Sequence, residues 1–117
     1  MDERVRASRI EIIVLNWNNA QDTLACLESL ERLTYPNHEI IVVDNGSTDE
    51  SVPRIRAAYP GVQLLETGAN LGYAGGNNVG IRYALQQGAD YVCILNNDVL
   101  VAPGLLMNPT SPLLRLK

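Results

Sequence analysis

Tyr91-Val92-Cys93-Ile94-Leu95-Asn96-Asn97-Asp98 is the stretch on which the fold turns. A run of mostly apolar β-formers passes without a break into three polar residues. Arriving after a helical pattern, such a run reads as a buried parallel strand. The polar triplet then sits just beyond the strand's carboxyl end. Open α/β sheets bind their ligands there, because the helices leave a crevice outside those ends. Asp98 is therefore the centre from which the rest of the chain is read.

Three more runs end in the same way. Ile10–Leu15 leads into Asn16-Trp17-Asn18-Asn19, and Glu39–Val43 delivers Asp44-Asn45-Gly46-Ser47-Thr48-Asp49. Val62–Glu66 is shorter and more alternating, which places it at a sheet edge. Between these runs lie helical patterns. Ala20–Leu33 carries Ala20, Leu24, Leu27, Leu30 and Leu33 on one stripe, with Asn18 or Asn19 as its cap and Asp22 in its first turn. A second helix starts at the Asp44–Asp49 turn, where Ser47 and Glu50 have capping-box spacing, and it runs to about Tyr59 with Pro53 tolerated near its first turn. A third spans Gly75–Gln87 and closes on Gly88. Its apolar residues (Val79, Ile81, Tyr83, Ala84, Leu85) spread around the cylinder, so a helix covered on more than one side is expected.

The alternation predicts an α/β fold: a Rossmann-like parallel sheet of strand order 3-2-1-4, with right-handed crossovers and helices on both faces. That order puts a topological switch point between the first and fourth strands and lines one crevice with Asn16, Trp17, Asp44 and Asn96–Asp98. Residues 1–8 are expected to be a flexible lead-in, 9–102 the α/β domain, and 103–117 an irregular Pro/Leu-rich tail broken by Pro103, Pro109 and Pro112.

Composition narrows the partners. A length of 117 residues allows one domain, and 46% apolar with 19% charged residues is ordinary for a soluble globular chain. A net charge of −4 and the absence of any Lys/Arg run count against nucleic acid. Cys26 and Cys93 lack metal-ligand spacing and read as buried free thiols, in keeping with a reducing cytosol. No signal peptide is evident, and no apolar run approaches the ~20 residues that span a bilayer. A cytoplasmic setting is expected, at most peripheral at the inner face of the membrane.

A lone carboxylate such as Asp98 can cap a turn; a functional role needs a cation. Mg²⁺ or Mn²⁺ is held by one or two carboxylates together with phosphate oxygens and waters, so a single Asp suffices when a diphosphate supplies the rest. Asn97 both donates and accepts, which suits ribose hydroxyls. Asp44, acceptor-only when ionised, can take a ring N–H such as pyrimidine N3–H, although Asp-Asn-Gly-Ser is also a good turn by itself. Trp17, the sole tryptophan, stands at a strand exit among asparagines, better placed to stack on a base than to fill a core. The glycine-rich loop Thr67–Gly76 is not a dinucleotide fingerprint, which would follow the first strand with different spacing. Receiver-domain and P-loop signatures are absent.

Four motifs stand in order: Ile-Val-Leu-Asn-Trp-Asn (13–18), Val-Val-Asp-Asn-Gly-Ser-Thr-Asp (42–49), Asn-Leu-Gly-Tyr-Ala-Gly-Gly-Asn-Asn-Val-Gly (70–80) and Leu-Asn-Asn-Asp (95–98). Over about Ile10–Gly104 the chain resembles the nucleotide-binding half of family 2 glycosyltransferases, inverting enzymes with the GT-A fold, closest to the rhamnosyltransferase-like branch. The resemblance implies transfer of a sugar from a UDP- or dTDP-linked donor to a glycan or lipid-linked acceptor, of the kind that builds cell-surface polysaccharide. It sets Trp17 against the base, Asp44 on the pyrimidine ring, Asn97 near ribose and Asp98 on a divalent cation, Mn²⁺ or Mg²⁺. Asn16, Asn70 and Asn77 join the implied nucleotide-binding set. Two departures from the family pattern stand out: Asn96 and Asn97 replace acids, and Asn77 stands where many relatives carry arginine. An inverting transfer also needs a general base on the acceptor hydroxyl. Residues 99–117 contain no Asp or Glu. The expectation is a donor-binding fragment without its acceptor half and with its catalytic base unknown, self-associating through the face left exposed. The alternatives are a non-catalytic nucleotide-binding module and, less favoured, a sugar nucleotidyltransferase, which needs a basic glycine-rich loop after the first strand.

Overall fold

The computed structural model describes residues 8–107 and 113–116. Residues 1–7, most of the expected lead-in, and 108–112 and 117 of the expected tail lie outside the described residues. Five strands form one sheet: β1 (Ile10–Asn16), β2 (His38–Asp44), β3 (Gln63–Glu66), β4 (Tyr91–Asn96) and β5 (Leu113–Arg115). Three helices alternate with the first four: α1 (Ala20–Leu30), α2 (Ser51–Ala58) and α3 (Gly72–Gln86). The sheet order is β3-β2-β1-β4-β5. The first four strands are parallel, with Asn16 level with Asp44 and Leu15 level with Asn96. The expected 3-2-1-4 order and its switch point beside β1 are therefore present.

Both faces of β1 are covered because its side chains alternate between two cores. Ile10, Ile12 and Val14 join Val42, Cys93 and Leu95 against Cys26, Leu27 and Leu30 of α1 and Ile55 of α2. On the opposite face Ile13 packs with Ile41, Val43 and Val92 against Ala84 of α3. Each buried side chain of this size contributes about 1.5–3 kcal/mol of transfer free energy, so the two cores dominate stability.

Four boundaries differ from expectation. α1 stops at Leu30, three residues early, and tight turns carry the chain on to Thr34, whose amide donates to Pro103 O at 2.9 Å. α2 begins at Ser51 rather than at a Ser47/Glu50 capping box. Its first amide is instead met by Asp49 Oδ1 at 2.9 Å, and Ser47 turns toward the strand ends. α3 starts three residues early, at Gly72, whose φ of +78° admits glycine without strain. The residues after Pro103 include a 3₁₀ turn (Leu105–Met107) and β5, antiparallel to β4. A three-residue strand is too short to show a period, which is why the sequence reading found no element there.

α3 also packs otherwise than expected. It buries a line of small residues, Gly76, Asn77, Gly80 and Ala84, while Tyr73 and Leu85 are 61% and 47% exposed. A Cβ on Gly80 would lie 2.8 Å from Ile13 Cγ2 and 3.1 Å from Val43 Cγ2. The glycine thus sets how closely the helix lies on the sheet, and the large apolar residues are displaced to its flanks.

Candidate functional site

The strand exits meet where the switch point predicts. Asn45 N donates to Asn16 O at 2.8 Å, continuing the β1–β2 ladder one step past the strands. Asn18, in the left-handed region at φ +48°, locks the two turns together. Its backbone N–H donates to Ser47 Oγ at 2.8 Å, and its Oδ1 accepts from Thr48 N at 2.8 Å. Gly46 has φ +82°, and a Cβ there would lie 2.6 Å from the backbone of Ala69. Asn45 is buried against the glycine-rich loop, where its Oδ1 accepts from Leu71 N at 3.1 Å and its Nδ2 donates to Gly72 O at 3.0 Å. Asn70 Oδ1 accepts from Gly72 N at 2.9 Å.

A buried chain of hydrogen bonds ties three strand ends to α1. Asp44, 2% exposed, accepts from Asn16 Nδ2 at 2.9 Å, from Ser47 N at 2.9 Å and from Ser47 Oγ at 2.7 Å. Asn16, fully buried, accepts on Oδ1 from Thr23 Oγ1 at 2.6 Å. Thr23 Oγ1 in turn accepts from Asn97 Nδ2 at 3.1 Å. The segment beyond Asp98 is pinned to α1 as well, since Val101 N donates to Ser29 Oγ at 3.1 Å.

Above this layer lies an open cavity of about 290 Å³, lined by Leu15, Trp17, Asn19, Tyr73, Asn96, Asn97 and Asp98. Trp17 is 51% exposed. The structure therefore brings Trp17, Asn97 and Asp98 together on one cavity wall. Asp44 and Asn16 lie beneath it, committed to their own chain, and Asn70 shapes the glycine-rich loop. Asn77 is on the sheet-facing side of α3, 4% exposed, its side-chain N and O without a hydrogen-bond partner among the described residues. A second cavity of about 330 Å³ lies between α2 and β3, lined by Ile55, Arg56, Tyr59, Pro60, Val62, Gln63 and Leu64. It is similar in size but holds no carboxylate and sits away from the strand exits.

Sequence reasoning missed Tyr73 as a lining residue because it started α3 at Gly75 and left Tyr73 in the loop. It also missed Thr23. The signal was legible: Thr23, Leu27 and Leu30 are spaced i, i+4, i+7, so a polar residue sits on the buried stripe. The two cysteines are buried free thiols, as expected. Burial, then the nearby charge of Asp98, pushes Cys26 up to about 11; burial, then Cys26, pushes Cys93 up to about 11. Both stay protonated near neutral pH and are unsuited to metal ligation or nucleophilic attack.

Among the described residues no three His, Cys, Asp or Glu side chains gather to hold a metal. What the cavity offers is one exposed carboxylate, Asp98, flanked by amide oxygens. This donor set suits a hard cation that keeps waters and takes its remaining ligands from a phosphate-bearing ligand.

Residues 11–108 match the family model described as glycosyl transferase family 2. The chain belongs to that family. It is 32% identical over 91 residues to a low-salt glycan biosynthesis hexosyltransferase of Haloferax volcanii, covering 77% of this chain and 28% of that protein. It is 36% identical over 103 residues to an N-acetylglucosaminyl-diphospho-decaprenol L-rhamnosyltransferase of Mycobacterium tuberculosis, covering 81% and 34%. The structure matches a Pyrobaculum calidifontis mannosyltransferase, solved in complex with GDP-Man and Mn²⁺, with a TM-score of 0.80 and 26% identity over 90% of this chain and 32% of that one. S. aureus TarS in complex with UDP-GlcNAc matches in fold, with a TM-score of 0.73 and 23% identity over 85% of this chain and 29% of that one. The family 2 chain described here thus spans roughly a third or less of the length of these relatives, and its sheet is the Rossmann-like part of a GT-A fold. No helix among the described residues is long and apolar enough to cross a membrane.

Proposed function

We propose that these 117 residues form the donor-binding part of an inverting glycosyltransferase, with a UDP- or dTDP-linked sugar as donor and a glycan or lipid-linked acceptor. One observation carries the reading: in a family 2 chain, Trp17, Asn97 and Asp98 line a single cavity at the switch point. Trp17 offers its exposed indole face to the base. Asp44 uses three of its roughly four acceptor positions internally, so one position, on Oδ2, remains to meet a ring N–H. Asn97 lies beside the ribose. Asn70 and Asn77 act through the glycine-rich loop and α3, which bring Tyr73 to the cavity.

Asp98 would hold Mn²⁺ or Mg²⁺, whose chemistry when bound is to neutralise charge on a departing diphosphate. Such use of a cation accords with the Mn²⁺ in the mannosyltransferase complex. The general base has no acidic candidate after Asp98, where residues 99–117 lack Asp and Glu. Binding without turnover is therefore the expected behaviour of this stretch alone. Trp17, Leu71, Tyr73, Leu85, Leu100 and Leu114 are large apolar residues with exposed surface, which supports self-association. Sedimentation should then show species larger than a monomer.

Calorimetric titration with UDP, dTDP and GDP, with and without Mn²⁺, tests the donor site. A pyrimidine diphosphate should bind, with affinity enhanced at least tenfold by Mn²⁺, and Asp98→Ala should abolish that enhancement. A folded chain that binds none of the three would refute the reading.

A further inference from the structure

We propose that Thr23 is the positioning residue of the donor site, and that it turns the Asn97 carbonyl oxygen, rather than the NH₂, toward the cavity. The ligand group meeting Asn97 is then a hydrogen-bond donor, a nucleotide hydroxyl. This assignment rests on the nucleotide reading above and adds the direction of the contact and the residue that sets it.

The polarity is forced one atom at a time. Asp44 Oδ2 accepts from a backbone N–H, that of Ser47, and Asp44 Oδ1 faces Asn16 at 2.9 Å. A carboxylate oxygen can only accept there, so Asn16 must present its NH₂. Its other side-chain atom is then the carbonyl oxygen. At 2.6 Å from Thr23 Oγ1, that oxygen claims the single hydroxyl proton of Thr23. Thr23 has no second proton and meets Asn97 as an acceptor, at 3.1 Å. Asn97 must answer with its NH₂. Its Oδ1 is the atom left uncommitted, in a residue that lines the cavity.

The alternative orientation fails at the buried end. Flipping Asn16 would set its carbonyl against the Asp44 carboxylate inside a layer where Asp44, Asn16 and Thr23 are each at most 2% exposed. Two acceptors 2.9 Å apart there would repel, and Asp44 would lose the Asn16 donor, a cost no solvent relieves. The orientation at the cavity is thus set three residues away, by a carboxylate that does not line it. Thr23 is the step without a substitute: its hydroxyl alone links Asn16 to Asn97, and it bridges α1 to both strand ends.

Side-chain NMR of the labelled chain and calorimetry together test this. In the free protein the Asn97 Nδ2 protons should exchange slowly with solvent in wild type and in Thr23→Ser, and fast in Thr23→Val, which keeps the shape but removes the hydroxyl. Saturation with whichever of UDP, dTDP or GDP binds best should move the Asn97 Cγ resonance and leave the Nδ2 protons slow. Thr23→Val should weaken that ligand about tenfold and Thr23→Ser by less than threefold. Placed on Asn97→Ala, Thr23→Val should add no further loss. An additive loss would reduce Thr23 to a structural residue, and fast exchange in wild type would overturn the relay. If wild type exchanges slowly but no variant binds a nucleotide, the donor-site reading fails while the orientation of Asn97 stands.

Discussion

β1 buries a polar side chain near each end, and the two are treated differently. At the carboxyl end Asn16 is fully buried, with bonds to Asp44, Ser47 and Thr23. Near the amino end Glu11 is 1% exposed. Its Oε1 meets Arg9 at 3.0 Å, its Oε2 has no partner among the described residues, and its register neighbour on β2 is Glu39. Burial, outweighing Arg9, holds the Glu11 carboxyl above its ordinary value of 4.5, with Glu39 adding to the rise. A neutral amide with matched partners can organise a site, whereas a carboxylate short of partners remains a cost. The completed network stands at the end where the cavity lies.

Asn16→Asp should break the contrast most severely. It sets a second carboxylate against Asp44 and should cost about 4 kcal/mol, read as a lowered urea midpoint. The same substitution should remove nucleotide binding in whatever fraction remains folded. Gly80→Ala should come next, because the added methyl meets Ile13 and Val43 beneath α3. The net cost should be about 1–2 kcal/mol even after the ~1 kcal/mol gain in helix propensity. Its signature is lost stability with cation-dependent binding retained, since Gly80 lies in the helix–sheet seam rather than at the cavity.

The smallest effect belongs to Glu11. Its folded-state pKa is raised, so the stability it contributes is fully present below 4.5 and is lost as pH rises through the folded value. The stability of wild type relative to Glu11→Gln should therefore fall from pH 4 to pH 7. A rise over that interval in matched urea titrations would show that the Arg9 pair outweighs burial.

Much of this was legible in the linear chain. Four runs of β-branched and aliphatic residues, each ending in polar residues, defined four parallel strands, because a strand covered on both faces is mostly apolar until it emerges. Trp17, Asn97 and Asp98 were legible for the same reason. Ser47 was read as a helix cap because capping-box spacing is a local signal, yet its hydroxyl is held by Asp44 and Asn18 from outside the helix. Tyr73 was lost to a helix boundary three residues off.

Local patterning thus specified the elements, their class and the residues at their exits, since hydrophobic period and turn chemistry act within a few positions. Tertiary structure alone decided which of those polar groups line the cavity and which face each other. Asn16 and Asn97 are the same residue type at neighbouring strand exits, and one is sealed in the relay while the other lines the cavity. The difference arises from a buried hydroxyl on α1 and a carboxylate on β2. Hydrogen-bond polarity passes between atoms in contact, and only folding brings those atoms together.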